Sequence, residues 1–336
     1  MTDTQTTLRP RFLVTGATGF IGSHAVDALL SRGYDVVCVV RNVSALRNLA
    51  PAGAQVIALD DMESAMEAGP PVDYVIHIAG ATRALNYESY RMANVDLTRR
   101  LLELFDRPGR RENLKRFVFI SSQAAGGPSP NSGSGVVETD PVRPVSLYGR
   151  SKLEAERTVV EFSERVPVTI IRPPTVFGPR DVDVLGVFKC ARFRIAPCIA
   201  GPERLVSIIY VEDLVEGILE ASFSRKSEGE TYFLANSEPV IWRAFCLEVA
   251  RVLGYHAIAV PVPLFVMKIV AKTGDVIAGF TGRAPLLRTE KLEEMRQMAW
   301  VCSTEKACRD LRWKPRTPLS EAIEKTARWY KEHGWL

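Results

Sequence analysis

The sequence has few of the features that mark membrane, secreted or nucleic-acid-binding proteins. No apolar run reaches the ~18 residues that a membrane span requires, so we predict no transmembrane segment. The first seven residues are polar and lack the charged and apolar regions of a signal peptide. The 43 Lys and Arg residues nearly balance 39 Asp and Glu residues and are dispersed, without an arginine-rich arm. We expect a cytoplasmic protein with no nucleic-acid partner.

Cysteine and histidine are scarce, and their spacing does not suit a metal site. Six cysteines and four histidines occur in 336 residues, without a C-x-x-C pair. We therefore predict no metal and no disulfide, and we expect the thiols to be reduced and mostly packed in the interior.

Three glycines fall within seven residues near the start of the chain. An apolar strand pattern at residues 11–15 is followed at once by a glycine-rich turn and then by a helical pattern over 20–32. Strand, glycine turn and helix are the context of a dinucleotide-binding loop, and an ordinary glycine-rich βα turn is the alternative. In such a loop the first glycine makes the turn, the second admits a pyrophosphate and the third lets helix and strand pack closely. The predicted loop residues are Gly16, Thr18, Gly19, Phe20, Ile21 and Gly22.

The next two strand patterns bear on the choice of cofactor. Strand 35–40 ends at Val40-Arg41, where an NAD site usually has an acidic residue for the ribose 2′-hydroxyl. A guanidinium suits a 2′-phosphate, so we favour NADP; Arg41 stacked on adenine or facing water would be compatible with NAD. After strand 55–59, either Asp60 or Asp61 is placed to contact adenine, and Met62 is included with them.

Strand and helix patterns alternate through the first half, which predicts an α/β fold with a doubly wound parallel sheet. We predict a dinucleotide-binding domain at 1–172 and a smaller, mostly helical substrate lobe at 173–336 that returns some elements to the first domain. The predicted strands are 11–15, 35–40, 55–59, 73–78, 115–121 and 167–172. The predicted helices are 20–32, 43–50, 87–106, 147–165, 183–194, 211–223, 241–253, 263–280, 289–298 and 319–333.

Tyr148 and Lys152 are four residues apart on a predicted helix and so share one face. A phenol titrates near pH ~10, and a neighbouring ammonium would favour its ionised form. This pair suits proton transfer to or from a substrate oxygen.

Several further motifs occur in a fixed order. They are Val75-Ile-His77-Ile-Ala-Gly80, Asn94-Val-Asp-Leu-Thr98, Ser121-Ser122 and Arg172-Pro-Pro-Thr-Val-Phe-Gly178-Pro. With the glycine loop and the Tyr148/Lys152 pair, they make the chain resemble the extended short-chain dehydrogenases/reductases, the NAD(P)-dependent epimerase/dehydratase superfamily. In motif it is closest to the dihydroflavonol reductase and 3β-hydroxysteroid dehydrogenase-like branch. The resemblance implies a Rossmann fold and an NAD(P)-dependent enzyme.

The resemblance also implies roles for individual residues. Tyr148 would be the general acid/base, Lys152 would bind the nicotinamide ribose and lower the pKa of Tyr148, and Ser122 would hydrogen-bond the reacting oxygen. Asn94 would hold a proton-relay water, or else serve only packing or capping. His77 reads as a core histidine. The remaining predicted cofactor contacts are Ala79, Gly80, Ala81, Pro173, Thr175 and Val176.

Two departures from the nucleotide-sugar enzymes bear on the substrate. Thr175 stands where they typically have Asn, and Val206 where they tend to have Arg. We therefore favour interconversion of a ketone and a secondary alcohol on an apolar molecule. A nucleotide-sugar epimerase or dehydratase and a non-catalytic dinucleotide-binding regulator are the alternatives. Arginines that could compensate, or form a solvated face, are Arg180, Arg192, Arg194 and Arg204.

The sequence leaves two alternatives for what each of two apolar surfaces contacts. The amphipathic pattern 264–280 sets Phe265, Ile269, Val276 and Phe280 opposite its charged residues, and we expect this apolar face to pack on the fold or over a substrate pocket, with a membrane-surface contact as the alternative. Family members often dimerise through the Tyr148 and Asn94 helices. Residues available for such a homodimer, or for packing within the chain, are Leu104, Leu153, Val159 and Val160.

Overall fold

The fold is built on a parallel sheet whose strands alternate with helices. The computed structural model describes residues 9–41, 53–130, 135–281, 285 and 288–336. The predicted helix 43–50, with Arg47, lies outside these residues. The strands are β1 (Arg11–Thr15), β2 (Asp35–Val40), β3 (Gln55–Ala58), β4 (Tyr74–His77), β5 (Arg116–Ile120), β6 (Val168–Arg172), β7 (Thr175–Phe177), β8 (Ile195–Ile199), β9 (Leu205–Val206), β10 (Ile208–Tyr210), β11 (Thr231–Phe233), β12 (Val240–Ile241), β13 (Ile258–Val262) and β14 (Ala299–Trp300).

The helices cover both faces of this sheet and hold more residues than the strands do in the second half. They are α1 (Phe20–Ser31), α2 (Met62–Ala68), α3 (Tyr87–Arg91), α4 (Leu97–Phe105), α5 (Gln123–Gly126), α6 (Leu147–Glu161), α7 (Leu185–Arg192), α8 (Val211–Phe223), α9 (Trp242–Val252), α10 (Leu264–Thr281), α11 (Thr289–Met295), α12 (Glu305–Leu311) and α13 (Leu319–Glu332). A π-helical turn (Met92–Asp96) joins α3 to α4, so the predicted helix 87–106 is continuous but not uniformly α-helical.

The main sheet has seven parallel strands in the order β11-β6-β5-β4-β1-β2-β3. The strand order reverses between β1 and β4, which confirms the predicted doubly wound topology. Strand β11 comes from the second half of the chain and extends the sheet beyond β6.

Alternation along the buried strands divides the core between the two faces of the sheet. Phe12 and Val14 of β1 belong to a cluster with α1 and α8, whereas Leu13 belongs to the opposite cluster with α4 and α6. This follows from the two-residue period of a strand, which sends successive side chains to opposite faces. Leu104 and Val159 lie fully buried in the second cluster. They therefore pack within the chain and are not available for a dimer, although Val160 is exposed.

Three predictions of local structure need correction. Helix 289–298 ends at Met295, because residues 299–300 form β14 beside β9. Segment 123–144, between predicted strand 115–121 and predicted helix 147–165, has no predicted helix but begins with α5, which Ser122 caps through its hydroxyl. Helices α2 and α12 were not predicted. A long-range strand pairing limits α11 and a side-chain cap starts α5, and the apolar periodicity of the sequence shows neither.

The orientation of α10 is also opposite to the one expected. The predicted packing face of Phe265, Ile269, Val276 and Phe280 points outward and is exposed. The helix instead packs through the small or flexible side chains of Met267, Ala271, Gly274 and Ala278, and Met267 and Ala271 contact Leu292 of α11.

Candidate active site

The carboxyl ends of the parallel strands meet at one edge of the sheet, and the predicted site residues follow them. Gly16, directly after β1, has φ +72°, and a Cβ there would lie 2.7 Å from the backbone nitrogen of Ala79 after β4. A Cβ on Gly22 would overlap the carbonyl oxygen of Gly16. Both glycines are therefore required by close backbone contacts that bring α1 onto the loop.

The N-terminus of α1 suits a dinucleotide pyrophosphate. Gly19 precedes the helix without a side-chain cap, and the first turn (Phe20, Ile21, Gly22 and Ser23) carries no acidic residue. The first N–H groups of a helix have no partner within it and carry partial positive charge. The residues present at this turn thus fit the phosphates of NAD or NADP.

The ends of β2 and β3 place the other predicted cofactor contacts. Arg41 is exposed immediately after β2. Asp60 and Asp61 are exposed between β3 and α2, whereas Met62 is fully buried in the core. The fold therefore leaves the guanidinium and the two carboxylates open to a ligand at this edge, whereas Met62 packs in the core.

Asn94 joins the segment after β4 to the Tyr148 helix. Its Oδ1 accepts a hydrogen bond of 2.8 Å from the N–H of Ala81, and its Nδ2 donates to the carbonyl oxygen of Ala81 at 3.1 Å and to Ser151 Oγ at 2.8 Å. A Cβ on Gly80 would lie 2.6 Å from Asn94 Oδ1. The side chain of Asn94 thus holds residues 80–81 close against α6.

Tyr148, Ser122 and Lys152 come together beside these loops. Ser146 caps α6, which carries Tyr148 and Lys152 one turn apart. Burial raises the pKa of Tyr148 to about 12, while a hydrogen bond with Ser122 acts to lower it and Glu294 acts to raise it. Burial is therefore the largest influence on the ionisation of Tyr148, ahead of Ser122 and Glu294.

Lys152 is buried behind the tyrosine. Its Nζ donates a hydrogen bond of 2.7 Å to the carbonyl oxygen of Ile120 and lies 4.3 Å from the ring centroid of Phe119. Burial lowers the pKa of Lys152 to about 7, and the carboxylate of Glu156 acts in the opposite direction. The ammonium therefore depends on nearby oxygens and on Glu156 to keep its charge.

Glu156 is itself held in a buried ion pair. Arg172 donates from Nε and Nη2 to the two carboxylate oxygens at 2.9 and 2.6 Å. Ser121 Oγ donates to the same carboxylate at 2.5 Å. The end of β5, the end of β6 and the Tyr148 helix are thus joined through a single carboxylate.

His77 lies in the core and not in the site. Its ring nitrogens contact the hydroxyl oxygens of Thr15 at 2.7 Å and Thr98 at 2.9 Å. Burial lowers the pKa of His77 to about 3. A neutral, fully hydrogen-bonded imidazole matches the interpretation of a core histidine.

The helix α11 brings two residues that the sequence analysis missed. Glu290 Oε1 accepts a hydrogen bond of 2.8 Å from the backbone N–H of Tyr148, and Glu294 Oε1 accepts one of 2.5 Å from Ser146 Oγ. Sequence spacing held no sign of these contacts because α11 follows α6 by more than a hundred residues. The one available signal was that the first turn of α6 has no acidic residue of its own.

After β6 the chain continues into β7, which pairs with β10, and β9 lies between β12 and β14. Pro173 is buried, and its carbonyl oxygen accepts the N–H of Gln123 at 2.8 Å; Thr175 and Val176 are half-buried in β7, beside β10. Val206 lies in β9 between Val240 and Trp300.

The four arginines noted in the sequence do not converge on a single point. Arg204 donates to the carbonyl oxygens of Met295, Ile199 and Pro202. Arg180 is paired with Asp27 at 2.7 Å. Arg192 and Arg194 are exposed. Among the described residues, no cluster of His, Cys, Asp and Glu could hold a metal ion, and no helix has the length and apolar character to cross a bilayer.

The chain is similar to several known proteins along nearly its whole length. It is 28% identical to 4-hydroxy-2-methyl-3-oxo-4-farnesyl-3,4-dihydroquinoline-1-oxide ketoreductase of Stigmatella aurantiaca, over 83% of this chain and 84% of that protein. It is 26% identical to ceramide reductase of Caulobacter vibrioides, over 96% and 95%. Its fold matches UDP-glucose 4-epimerase of Thermotoga maritima with a TM-score of 0.78 and 22% identity, covering 96% of this chain and 99% of that one.

A family model assigns the chain directly. The model of the NAD dependent epimerase/dehydratase family matches residues 12–235, from β1 to just beyond β11. This span includes the glycine loop, the Tyr148/Lys152 helix and the buried ion pair of Arg172. The chain belongs to the NAD dependent epimerase/dehydratase family and is an enzyme of the extended short-chain dehydrogenase/reductase type.

Proposed function

We propose that the enzyme interconverts a ketone and a secondary alcohol on an apolar small molecule, with NADP as the hydride carrier. The observation that carries the proposal is that Tyr148 lies beside Ser122 and one helical turn from Lys152 on α6. This arrangement offers one proton donor and one hydrogen-bonding hydroxyl to a single substrate oxygen.

The proposed chemistry rests on the protonation state of the phenol. Because burial raises the pKa of Tyr148 to about 12, the phenol keeps its proton at neutral pH and is ready to act as an acid. In reduction, Tyr148 Oη donates this proton to the carbonyl oxygen, and in oxidation the phenolate form of Tyr148 takes the proton from the alcohol. Ser122 holds the same oxygen by a hydrogen bond. The bound nicotinamide supplies or accepts the hydride.

Lys152 and Asn94 support this exchange in the proposal. The Lys152 ammonium binds the ribose hydroxyls and stabilises the phenolate after the proton has left. Asn94, whose amide already bonds Ala81 and Ser151, positions the 79–81 backbone along the cofactor. Gly16, Gly19 and the α1 N-terminus receive the pyrophosphate.

The apolar substrate is supported by two residues of the second half of the chain and by the relatives. Val206 replaces a cation that a nucleotide diphosphate would need, and Arg204 is already bonded to three carbonyl oxygens. The names of two relatives give a farnesyl-bearing quinoline oxide and ceramide as their substrates, both with long apolar chains.

The test is the reduction of a panel of hydrophobic ketones, with the loss of NADPH fluorescence as the measure of turnover. We expect Tyr148→Phe to bind NADPH with nearly unchanged affinity while turnover falls by about 10²–10⁴-fold. Unchanged turnover would reject Tyr148 as the acid/base. No turnover of any ketone, together with nucleotide that stays bound through purification and epimerisation of a UDP-sugar, would favour the nucleotide-sugar alternative.

The cofactor preference has its own test. We expect NADPH to bind more tightly than NADH and Arg41→Ala to weaken NADPH alone, because the lost charge faces only the 2′-phosphate. Equal weakening of both nucleotides would instead indicate that Arg41 stacks on the adenine.

A further inference from the structure

The outward face of α10 is apolar over its whole length. Phe280 is 88% exposed, Phe265 64% and Ile269 61%, and Val276 lies on the same face. At about 100° per residue, these four positions lie roughly opposite the buried face of Met267, Ala271, Gly274 and Ala278. A surface helix in water normally turns its polar side outward. This helix presents large apolar side chains on the side away from the protein.

The charges of α10 are arranged for an anionic partner. Lys268 and Lys272 are exposed along one edge of the apolar face, and neither makes an ion pair or hydrogen bond with any residue in the described part of the chain. Asp275 is the single carboxylate of the helix, and it is bound to Arg288 at 2.8 Å and to Thr289 at 2.5 Å. The two ammonium groups therefore have no acidic counterpart on their own helix.

We propose that this face of α10 lies in the interfacial layer of a lipid bilayer that carries anionic headgroups. Phe265, Ile269, Val276 and Phe280 enter the boundary of the acyl chains, and Lys268 and Lys272 contact phosphate groups. A second copy of the chain fits less well, because a two-fold contact through α10 would bring lysines together without a free carboxylate to neutralise them. The proposal concerns attachment at the bilayer surface and does not depend on the proposed reaction.

The surface is connected to the candidate active site through α11. Arg288, which binds Asp275 of α10, also donates to the carbonyl oxygen of Ala84 at 2.6 Å, three residues beyond the 79–81 segment. Two residues further on, Glu290 binds the N–H of Tyr148. The membrane face and the catalytic helix are thus held by the same short stretch of chain, which would keep the site close to the bilayer surface.

The test is co-sedimentation of the full-length protein with phosphatidylcholine vesicles, with and without phosphatidylglycerol. We expect binding to the anionic vesicles, weakened about tenfold or more by Phe280→Ser and roughly fivefold by each of Lys268→Gln and Lys272→Gln. Ile269→Ser should also weaken binding. Its matched control is Val160→Ser, since Val160 is 59% exposed on α6, and this control should bind as the wild type does. NADPH binding measures folding in every variant.

Three outcomes would overturn the proposal. The first is no binding to either vesicle, and the second is equal binding by Ile269→Ser and wild type. The third is a dimer in sedimentation velocity that Phe280→Ser dissociates, in a protein that binds no vesicles; it would assign the face to a second copy. Vesicle binding without ketone reduction would leave the membrane proposal standing and reject only the proposed reaction.

Discussion

The carboxylate of Glu290 accepts a hydrogen bond of 2.8 Å from the backbone N–H of Tyr148, across 142 residues of sequence. Its other oxygen accepts the hydroxyl of Tyr90 at 3.3 Å, and the ring centroids of Tyr90 and Tyr148 are 6.1 Å apart. Because the N-terminal N–H groups of a helix have no partner within it, Glu290 supplies to α6 the acceptor and the negative charge that its own first turn lacks. The C-terminal half thereby takes part in holding the candidate acid/base.

Removal of this carboxylate tests the role of α11. Glu290→Ala should lower the free energy of unfolding by about 1 kcal/mol, as loss of a helix cap does, and should reduce kcat more than NADPH affinity. Glu290→Gln keeps an acceptor oxygen and should have the smaller effect. Urea unfolding and kinetics measure both. Glu293→Ala is the control, since the carboxylate of Glu293 bonds the exposed Arg296 and no other residue in the described part of the chain; equal effects at 290 and 293 would contradict the prediction.

The buried pair of Glu156 and Arg172 predicts a large loss of stability. Glu156→Gln leaves the guanidinium without its countercharge in the core, which costs about 3–5 kcal/mol. Glu161→Gln breaks the exposed pair with Arg99 and should cost at most about 1 kcal/mol. Chemical denaturation of the two variants compares the costs directly. Similar values would mean that the 156–172 pair is open to solvent.

Gly22 is expected to be essential to the loop for a steric reason. A Cβ at Gly22 would overlap the carbonyl oxygen of Gly16, whereas a Cβ at Gly186, on α7, meets no atom within 4 Å. Gly22→Ala should therefore abolish or strongly weaken dinucleotide binding. Gly186→Ala should bind normally and gain up to about 1 kcal/mol of stability from helix propensity. Titration with NADPH and thermal unfolding distinguish them, and normal binding by Gly22→Ala would disprove the close packing of α1.

The lowered pKa of His77 predicts that this residue makes the folded protein less stable in acid. Its pKa is about 3 in the folded protein against 6.5 for the free side chain, so between these values only the unfolded chain binds the proton. The stability due to His77 is therefore present above pH 6.5 and is lost as the pH falls towards 3, at about 1.4 kcal/mol per pH unit. His77→Asn should reduce the slope of unfolding free energy against pH by this amount.

Comparing the pH dependence of His77→Asn with that of the wild type separates the effect of His77 from the opposite effect of Asp181. Burial raises the pKa of Asp181 to about 7 from 3.8, so the folded protein binds the extra proton in that interval and gains stability as the pH falls. Asp181 is unchanged in His77→Asn, and its contribution cancels in the difference between variant and wild type. Identical slopes would show that His77 titrates normally in the folded state.

The sequence alone was sufficient for the features that depend on neighbouring residues. The β1–Gly16–α1 turn and the placement of Tyr148 and Lys152 one turn apart on a helix were predicted correctly, because strand alternation, glycine backbone freedom and the helical period act over a few residues. The doubly wound parallel topology of the main sheet also followed, since alternating strands and helices restrict the topology to a few arrangements, whereas the added strand β11 was not predicted.

Tertiary structure decided which surfaces and charges face one another. The apolar face of α10 was expected to pack and is exposed, because Met267, Ala271, Gly274 and Ala278 allow a closer approach to α11 than the larger side chains opposite. The high pKa of Tyr148 and the contact with Glu290 likewise arise from burial and from segments distant in sequence. Desolvation and long-range contacts depend on what the fold places around a group, whereas helical and strand periodicity depends only on the chain itself.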